Sequence, residues 1–116
     1  MRRGDIHLVD FEPARGSEAN DRRPAIVVSN DASNAAVTRS SRGVVTVIPL
    51  TSNVAKVYEF QVVLPASRTG LRRDSKAQIE QIRAVAVERV GDRIGLVPYA
   101  LMAKIDDAIR IHLDLG

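Results

Sequence analysis

Short apolar runs recur along the chain up to Val97 and are rich in β-branched residues. Turn-forming residues bound each run, which is typical of strands in an antiparallel sheet or small barrel. The predicted strands are Ile6 to Phe11, Ala25 to Ser29, Val44 to Leu50, Phe60 to Leu64, Ala77 to Ala86 and a short Gly95 to Val97. The segments GSEANDRRP, NDASNAAVTRSSRG and ASRTGLRRDS are rich in Gly, Ser, Asn and Arg, and they are predicted to be exposed loops.

The pattern changes after Pro98, where apolar residues follow one another at three- and four-residue spacing. This spacing predicts an amphipathic C-terminal helix with Pro98 in its first turn. Its apolar face is predicted to contain Leu101, Ile105, Ala108, Ile109, His112 and Leu113. A length of 116 residues suits one domain, residues 1–116. The sequence therefore predicts a mainly β fold, a small antiparallel barrel or curled sheet with a terminal helix packed on it.

The composition of the chain favours a protein that binds polyanions. The chain has 45% hydrophobic and 27% charged residues, the balance of a folded protein. With two Phe, two Tyr and no Trp, aromatic stacking is not expected to be its main binding device. The net charge is only +3, but the arginines are grouped, which suits nucleic acid; solvated loop charges balanced by nearby acids are the alternative. The groups are Arg2 and Arg3, Arg15, Arg22 and Arg23, Arg39 and Arg42, and Arg68, Arg72, Arg73 and Lys76.

Several common site chemistries have no support in the sequence. There is no cysteine, and His7 and His112 lack metal-ligand spacing, so no metal site is expected. The glycines form no phosphate loop and no GxSxG is present, so no cofactor is expected either. The start of the chain does not read as a signal peptide and no apolar run has transmembrane length, so we expect a cytoplasmic location and no membrane partner. Any chemistry would rest on Arg, Ser, Thr, Glu and Gln.

RNA can be cut with that inventory. Its own 2′-hydroxyl is the nucleophile, so a protein need only position the strand and stabilise the charge that develops on phosphorus. A guanidinium is suited to this task because its planar fork donates two hydrogen bonds and stays charged. A nearby hydroxyl adds another donor.

The segment RGDIHLVDFEPARGSEANDRRPAIVVSND, from Arg3 to Asp31, resembles the opening of the MazF/PemK/Kid toxin family. That family shows RGDI, then GSE, RPA and a strand ending in SND. Departures from its pattern are His7, where an aromatic residue is usual, and Glu59 and Gln61. Later segments that also resemble the family in order and spacing are Val47 to Asn53, Glu59 to Pro65, Arg73 to Val85 and LMAKIDDAIRIHLDL.

The resemblance implies an SH3-like barrel with a C-terminal helix, of the CcdB/MazF type, and a homodimer. It also implies the toxin of a type II toxin–antitoxin system, a sequence-specific, metal-independent endoribonuclease. Such an enzyme cleaves single-stranded mRNA to 2′,3′-cyclic phosphate and 5′-hydroxyl ends and so inhibits translation and growth. An acidic, MazE-like antitoxin would occlude the RNA groove.

The site residues follow from the same resemblance. Arg23 and Thr51 match the family's catalytic pair. The positions that match its RNA-contacting residues are Arg15, Ser17, Ser52, Asn53, Glu80 and Gln81.

Two other functions are compatible with such a fold, which by itself does not decide function. One is a non-enzymatic gyrase poison like CcdB, and the other is an SH3-like nucleic-acid-binding module. CcdB-like toxins resemble one another at a C-terminal Trp-Gly-Ile, whereas this chain ends in LDLG and has no Trp. The sequence therefore favours the nuclease.

Overall fold

The computed structural model describes the whole chain, residues 1–116. The chain forms seven strands and three α-helices, with two single 3₁₀ turns in its second half. In chain order the elements are β1 (Asp5–Asp10), β2 (Arg22–Val27), α1 (Asp31–Ser40), β3 (Val44–Thr51), β4 (Gln61–Leu64), α2 (Ala66–Thr69), β5 (Ser75–Gln78), the Ile79–Gln81 turn, β6 (Arg83–Ala86), the Val87–Arg89 turn, β7 (Val90–Leu96) and α3 (Tyr99–His112).

The strands form one antiparallel sheet in the order β4-β5-β3-β2-β1-β7. The long strand β3 organises this sheet because it pairs with three other strands, β2, β5 and β6. Its first half, Val44 to Val47, pairs with β6, and its last residues, Leu50 and Thr51, pair with β5. On its other side β3 pairs with β2. The start of β2 therefore lies beside the end of β3.

Alternation along the strands builds a core on each face of the sheet. Ile26 and Ile48 belong to a cluster that packs against α3. Their neighbours Ala25 and Val47 belong to a second cluster, which contains Phe11. All five side chains are at most 1% exposed. The prediction of a mainly antiparallel β fold with a C-terminal helix is confirmed.

Helix α3 is attached through its apolar stripe. Leu101, Met102, Ile105 and Ala108 are buried against the sheet, as the spacing predicted for three of them. The predicted stripe continues too far, since His112 and Leu113 are exposed at the end of the helix. None of the helices combines the length and the apolar character needed to cross a bilayer.

We expect Ile105→Ala to lower the free energy of unfolding by about 2–5 kcal/mol, because it removes a fully buried side chain and leaves a cavity beneath α3. Urea denaturation followed by circular dichroism measures this change. Lys104→Ala, at an exposed position of the same helix, is the control and should change it by less than about 0.5 kcal/mol. Equal effects of the two substitutions would contradict the described docking of α3.

The loop prediction for NDASNAAVTRSSRG is wrong, because most of this segment is helix α1. Asn30 caps the helix by accepting a hydrogen bond from the Ser33 amide at 2.8 Å. Asn34 is the one buried residue and exchanges hydrogen bonds with Ser29. A helix held by polar contacts has no apolar stripe, so hydrophobic periodicity gave no signal. The Arg3 amide also donates to the Asp31 carboxylate at 2.6 Å, and this is the main cause that holds the pKa of Asp31 below its ordinary value.

The predicted strand Ala77 to Ala86 is two strands, β5 and β6, separated by the Ile79–Gln81 turn. Both pair with β3, but at its opposite ends, so the chain has to turn between them. Two smaller corrections remain. The third predicted loop contains the short helix α2, and the strand predicted at Gly95 to Val97 is the last part of the longer β7, which ends at Leu96.

Candidate active site

A cavity of about 730 Å³ lies where β2 begins and β3 ends, beside the loop that joins α2 to β5. Arg23, Thr51 and Ser52 line its walls, although they come from different strands and loops. Leu50 and Ile94 contribute apolar surface. The structure therefore brings the two predicted catalytic residues to one cavity, whereas the predicted Arg15, Ser17, Asn53, Glu80 and Gln81 are not part of its walls.

Arg23 is the second residue of β2, where the chain leaves the exposed β1–β2 loop. The following Pro24 favours extended backbone at Arg23, in line with its pairing with Val9 of β1. The guanidinium donates from Nε to the Asn20 carbonyl oxygen at 2.8 Å and from Nη2 to the Asn20 side-chain oxygen at 2.7 Å. Nη1 makes no hydrogen bond within the protein and remains available to a ligand.

Thr51 is the last residue of β3 and pairs with Lys76 of β5. Its Oγ1 accepts a hydrogen bond from the Asn53 amide at 3.2 Å, which places the hydroxyl in a local turn. The hydroxyl proton has no acceptor within the protein. Thr51 can therefore donate this proton to a ligand in the cavity.

Lys76 anchors the segment that follows Thr51. Although it is a lysine, it is only 8% exposed. Its ammonium donates to the Lys56 carbonyl oxygen at 2.5 Å and lies 5.8 Å from the centre of the Tyr58 ring. Tyr58 stacks in parallel on Phe60 at 5.3 Å. The sequence grouped Lys76 with the surface arginines and gave no sign of this role.

The cavity is strongly basic because four arginines line it, Arg22, Arg23, Arg72 and Arg73. Asp21 is its one carboxylate. None of the four guanidinium groups takes part in the ion pairs of the structure, which involve other cations. Unpaired arginines that face one cavity are suited to bind a polyanion. Arginine grouping was the sequence signal for them, but it did not separate Arg72 and Arg73 from Arg68, which lies outside the walls.

The loop carrying Arg72 and Arg73 is held in place by short-range contacts. The Asp74 carboxylate accepts a hydrogen bond from the Ala66 amide at 2.8 Å. The loop also lies close to β7 at Gly95, where a side-chain carbon would come within 2.6 Å of the Thr69 carbonyl oxygen. Glycine at position 95 thus permits the close approach that fixes this wall of the cavity.

The Ile79–Gln81 turn connects to both neighbouring loops through its polar side chains. Gln81 donates to the Ser17 carbonyl oxygen at 2.8 Å and accepts from the Ala19 amide at 3.0 Å. Glu80 accepts from the Gln61 side chain at 2.9 Å, while its Oε1 is buried without a partner. These two predicted RNA-contacting residues therefore have structural contacts that the sequence did not indicate.

The other predicted RNA-contacting residues lie at the surface. Arg15, Ser17, Ser52 and Asn53 are all exposed. Arg15 is in the β1–β2 loop, where its amide donates to the Glu18 carboxylate at 3.0 Å. No three His, Asp or Glu side chains converge in a geometry that could hold a metal ion.

An antiparallel β protein with a cavity of unpaired arginines and a free hydroxyl donor belongs to the broad class of proteins suited to bind a polyanion. Comparison with known proteins identifies its family. Residues 2–113 match the family model of the PemK-like, MazF-like toxins of type II toxin–antitoxin systems. The chain is 61% identical over 115 residues to Endoribonuclease MazF9 of Mycobacterium tuberculosis, covering 99% of this chain and 98% of that relative. The chain belongs to the PemK-like, MazF-like toxin family, as the sequence predicted.

Solved structures agree on the fold. MazF from Deinococcus radiodurans superposes with a TM-score of 0.78 at 26% identity, covering 99% of this chain and 97% of that one. An endoribonuclease from a mycobacterial species, solved in complex with its cognate antitoxin, gives a TM-score of 0.77 at 23% identity, with 100% and 97% covered. The predicted MazF-type fold is confirmed. The predicted class of enzyme, an endoribonuclease, is the class to which the curated relative belongs.

Proposed function

We propose that this toxin cuts single-stranded RNA, mRNA in particular, at a short sequence motif and without a metal ion, and thereby inhibits translation and growth. The 2′-hydroxyl next to the scissile bond loses its proton and attacks phosphorus in line, and the 5′-oxygen of the next nucleotide leaves and takes up a proton. The products carry a 2′,3′-cyclic phosphate and a 5′-hydroxyl. The observation that carries this proposal is the meeting of Arg23 and Thr51, each with an unused donor, in one basic cavity.

The roles of the pair follow from their free donors. The Nη1 and Nη2 groups of Arg23 donate to the non-bridging oxygens of the phosphorane, which carry more negative charge in the transition state than in the ground state. The hydroxyl of Thr51 donates to one of the same oxygens. Since Arg23 has no carboxylate partner, no ion pair has to be broken when the phosphate enters.

Around this pair, we assign base and backbone contacts to residues at the rim. Ser52 and Asn53 follow Thr51 directly, and Arg15 and Ser17 project from the exposed β1–β2 loop. Glu80 and Gln81 would read bases only by exchanging their bonds to Gln61 and to the β1–β2 loop. We therefore assign base reading first to the exposed rim.

The toxin acts as a homodimer. The partner that inhibits it is an acidic antitoxin. Arg22, Arg23, Arg72 and Arg73 supply the reason that an anionic peptide would compete with RNA. An extended antitoxin segment lying across these arginines would exclude the phosphates. The structure of a mycobacterial endoribonuclease in complex with its cognate antitoxin supports the existence of such a partner.

Cleavage of a long RNA by the purified protein in EDTA is the test of the proposal. We expect cuts at a recurrent short motif, with 3′ ends that resist ligation until the cyclic phosphate has been opened and removed, and 5′ ends that must first be phosphorylated. Duplex RNA should resist, because paired bases restrict the in-line geometry, and DNA should be inert because it lacks the 2′-hydroxyl. A requirement for magnesium, or products with 3′-hydroxyl ends, would overturn the mechanism.

Arg72 and Arg73 should contribute to RNA affinity through contacts with phosphates away from the cut. We expect the Arg72→Ala/Arg73→Ala variant to bind uncleavable RNA more weakly, and the salt dependence of its binding constant should fall by roughly 0.7 per arginine. Titration of 2′-O-methyl RNA at several salt concentrations measures both quantities. The matched control is Arg42→Ala/Arg68→Ala, which removes two exposed arginines outside the cavity walls. Equal slopes for the two variants would place the phosphates elsewhere.

A further inference from the structure

Asn20 makes a two-point contact with the guanidinium of Arg23. Its carbonyl oxygen accepts from Nε at 2.8 Å and its side-chain oxygen accepts from Nη2 at 2.7 Å. Both acceptors are neutral, so the contact orients the guanidinium without neutralising its charge. Asn20 is exposed, and nothing in its sequence neighbourhood indicated a role.

The contact decides which edge of Arg23 a phosphate can meet. A guanidinium carries five N–H donors in a rigid planar fork. Asn20 occupies the edge formed by Nε and Nη2. The terminal edge, formed by Nη1 and the second proton of Nη2, is the remaining pair of parallel donors. A phosphate that enters the cavity therefore meets the terminal edge.

Asn20 is itself held by anchors on both sides. The preceding Ala19 is only 6% exposed and its amide donates to Gln81 at 3.0 Å. The following Asp21 donates from its amide to the Glu12 carboxylate at 2.7 Å and accepts from the Phe11 amide at 3.0 Å. Asp21 also adopts a left-handed backbone with φ of 60° at a bend just before β2. These contacts hold the residues on either side of Asn20 and so fix its position next to Arg23.

We propose that Asn20 is a positioning residue for Arg23, and that Gln81 supports it by holding the β1–β2 loop. This inference rests on the proposed function, in which Arg23 donates to the scissile phosphate. An arginine side chain has many rotamers in solution, and fixing it before the substrate arrives removes an ordering cost from the transition state. Asn20 therefore acts on the rate of cleavage more than on RNA binding.

The test is a double-mutant cycle between Asn20 and Arg23, measured by steady-state cleavage of a short RNA. We expect Asn20→Ala to lower kcat roughly tenfold while KM changes less than about twofold, because Nη2 of Arg23 loses its side-chain acceptor, only the main-chain bond to Nε remains, and the cavity charge is kept. In the Arg23→Ala background the same substitution should have no further effect. An Arg68→Ala background, which removes an exposed arginine outside the cavity walls, serves as the comparison, where the loss caused by Asn20→Ala should persist.

Two further measurements separate positioning from folding. The melting temperature of Asn20→Ala should match the parent, and Asn20→Ser, whose hydroxyl is too short to reach Nη2, should lower kcat to the same extent. In ¹H–¹⁵N spectra the Nη2–H signal of Arg23 should be protected from exchange in the parent and lose protection in Asn20→Ala, whereas Nε–H, which donates to the main-chain carbonyl oxygen of residue 20, should stay protected in both.

The outcomes distinguish this inference from the proposed function. If Arg23→Ala cleaves normally, the catalytic assignment itself is wrong. If Arg23→Ala is inactive but Asn20→Ala keeps the parent kcat, or lowers kcat equally in the Arg23→Ala background, the positioning role is refuted. A rise in KM without a fall in kcat would also refute it, since this would make Asn20 an RNA contact.

Discussion

Arg23→Ala is expected to lower the rate of RNA cleavage by on the order of a hundredfold or more, because the transition state loses a charged donor. The substitution removes the guanidinium from a cavity that keeps Arg22, Arg72 and Arg73, so RNA binding should fall much less than kcat. Single-turnover cleavage of a short RNA separates the two effects. Arg23 is at the start of β2 and half-buried, and the thermal unfolding midpoint should change little.

Two variants sharpen this expectation. Arg23→Lys should be nearly as poor as alanine, because an ammonium cannot reproduce the planar fork or the two bonds to Asn20. Arg68→Ala removes an exposed arginine outside the cavity and should cleave at the parent rate. If Arg23→Lys cleaved as well as the parent, only the charge would matter and the forked contact with phosphate would be refuted.

Thr51→Ala is also expected to reduce kcat, by on the order of a hundredfold, since the phosphorane loses a hydroxyl donor. Thr51→Ser is the matched control because it keeps an Oγ that can accept from the Asn53 amide and donate to phosphate. It should retain most of the parent rate. Initial rates at saturating RNA, with the melting temperature measured alongside, check both variants.

The two substitutions should not be additive. If Arg23 and Thr51 donate to the same phosphorane, the Arg23→Ala/Thr51→Ala variant should cleave nearly as slowly as the slower single variant. Full multiplication of the two losses would indicate that the residues act on different steps. Near-parent rates for Thr51→Ser and Thr51→Ala alike would remove Thr51 from the mechanism.

The strands could be predicted because alternation of apolar residues reflects a local rule that each strand obeys. Helix α1 could not be predicted in this way, since Asn34, its one buried residue, is held by hydrogen bonds to Ser29 and not by apolar packing. The break between β5 and β6 also escaped prediction, because it depends on both strands pairing with β3. Long-range pairing leaves no mark in a short window of sequence.

The candidate site shows the same division. Resemblance to the family indicated Arg23 and Thr51, and the fold brings both to one cavity. The contact of Asn20 with Arg23 depends on the bend at Asp21, where a non-glycine residue adopts a positive φ. Arg72 lines the cavity and Arg68 does not, and this difference depends on how the segment between α2 and β5 packs against β7. Neither feature can be read from the identity of the residues alone.

The unpaired arginines of the cavity also link inhibition to the lifetime of the protein. Four like charges that share one carboxylate repel one another, so the empty toxin is less stable than the same fold with an anion in place. A ligand that binds only the folded state adds RT ln(1 + [L]/Kd) to the free energy of unfolding. An acidic partner that occupies this cavity would therefore silence the enzyme and, by the same contacts, protect it from unfolding and proteolysis. Release of the partner would then yield a toxin that is active and at the same time shorter-lived.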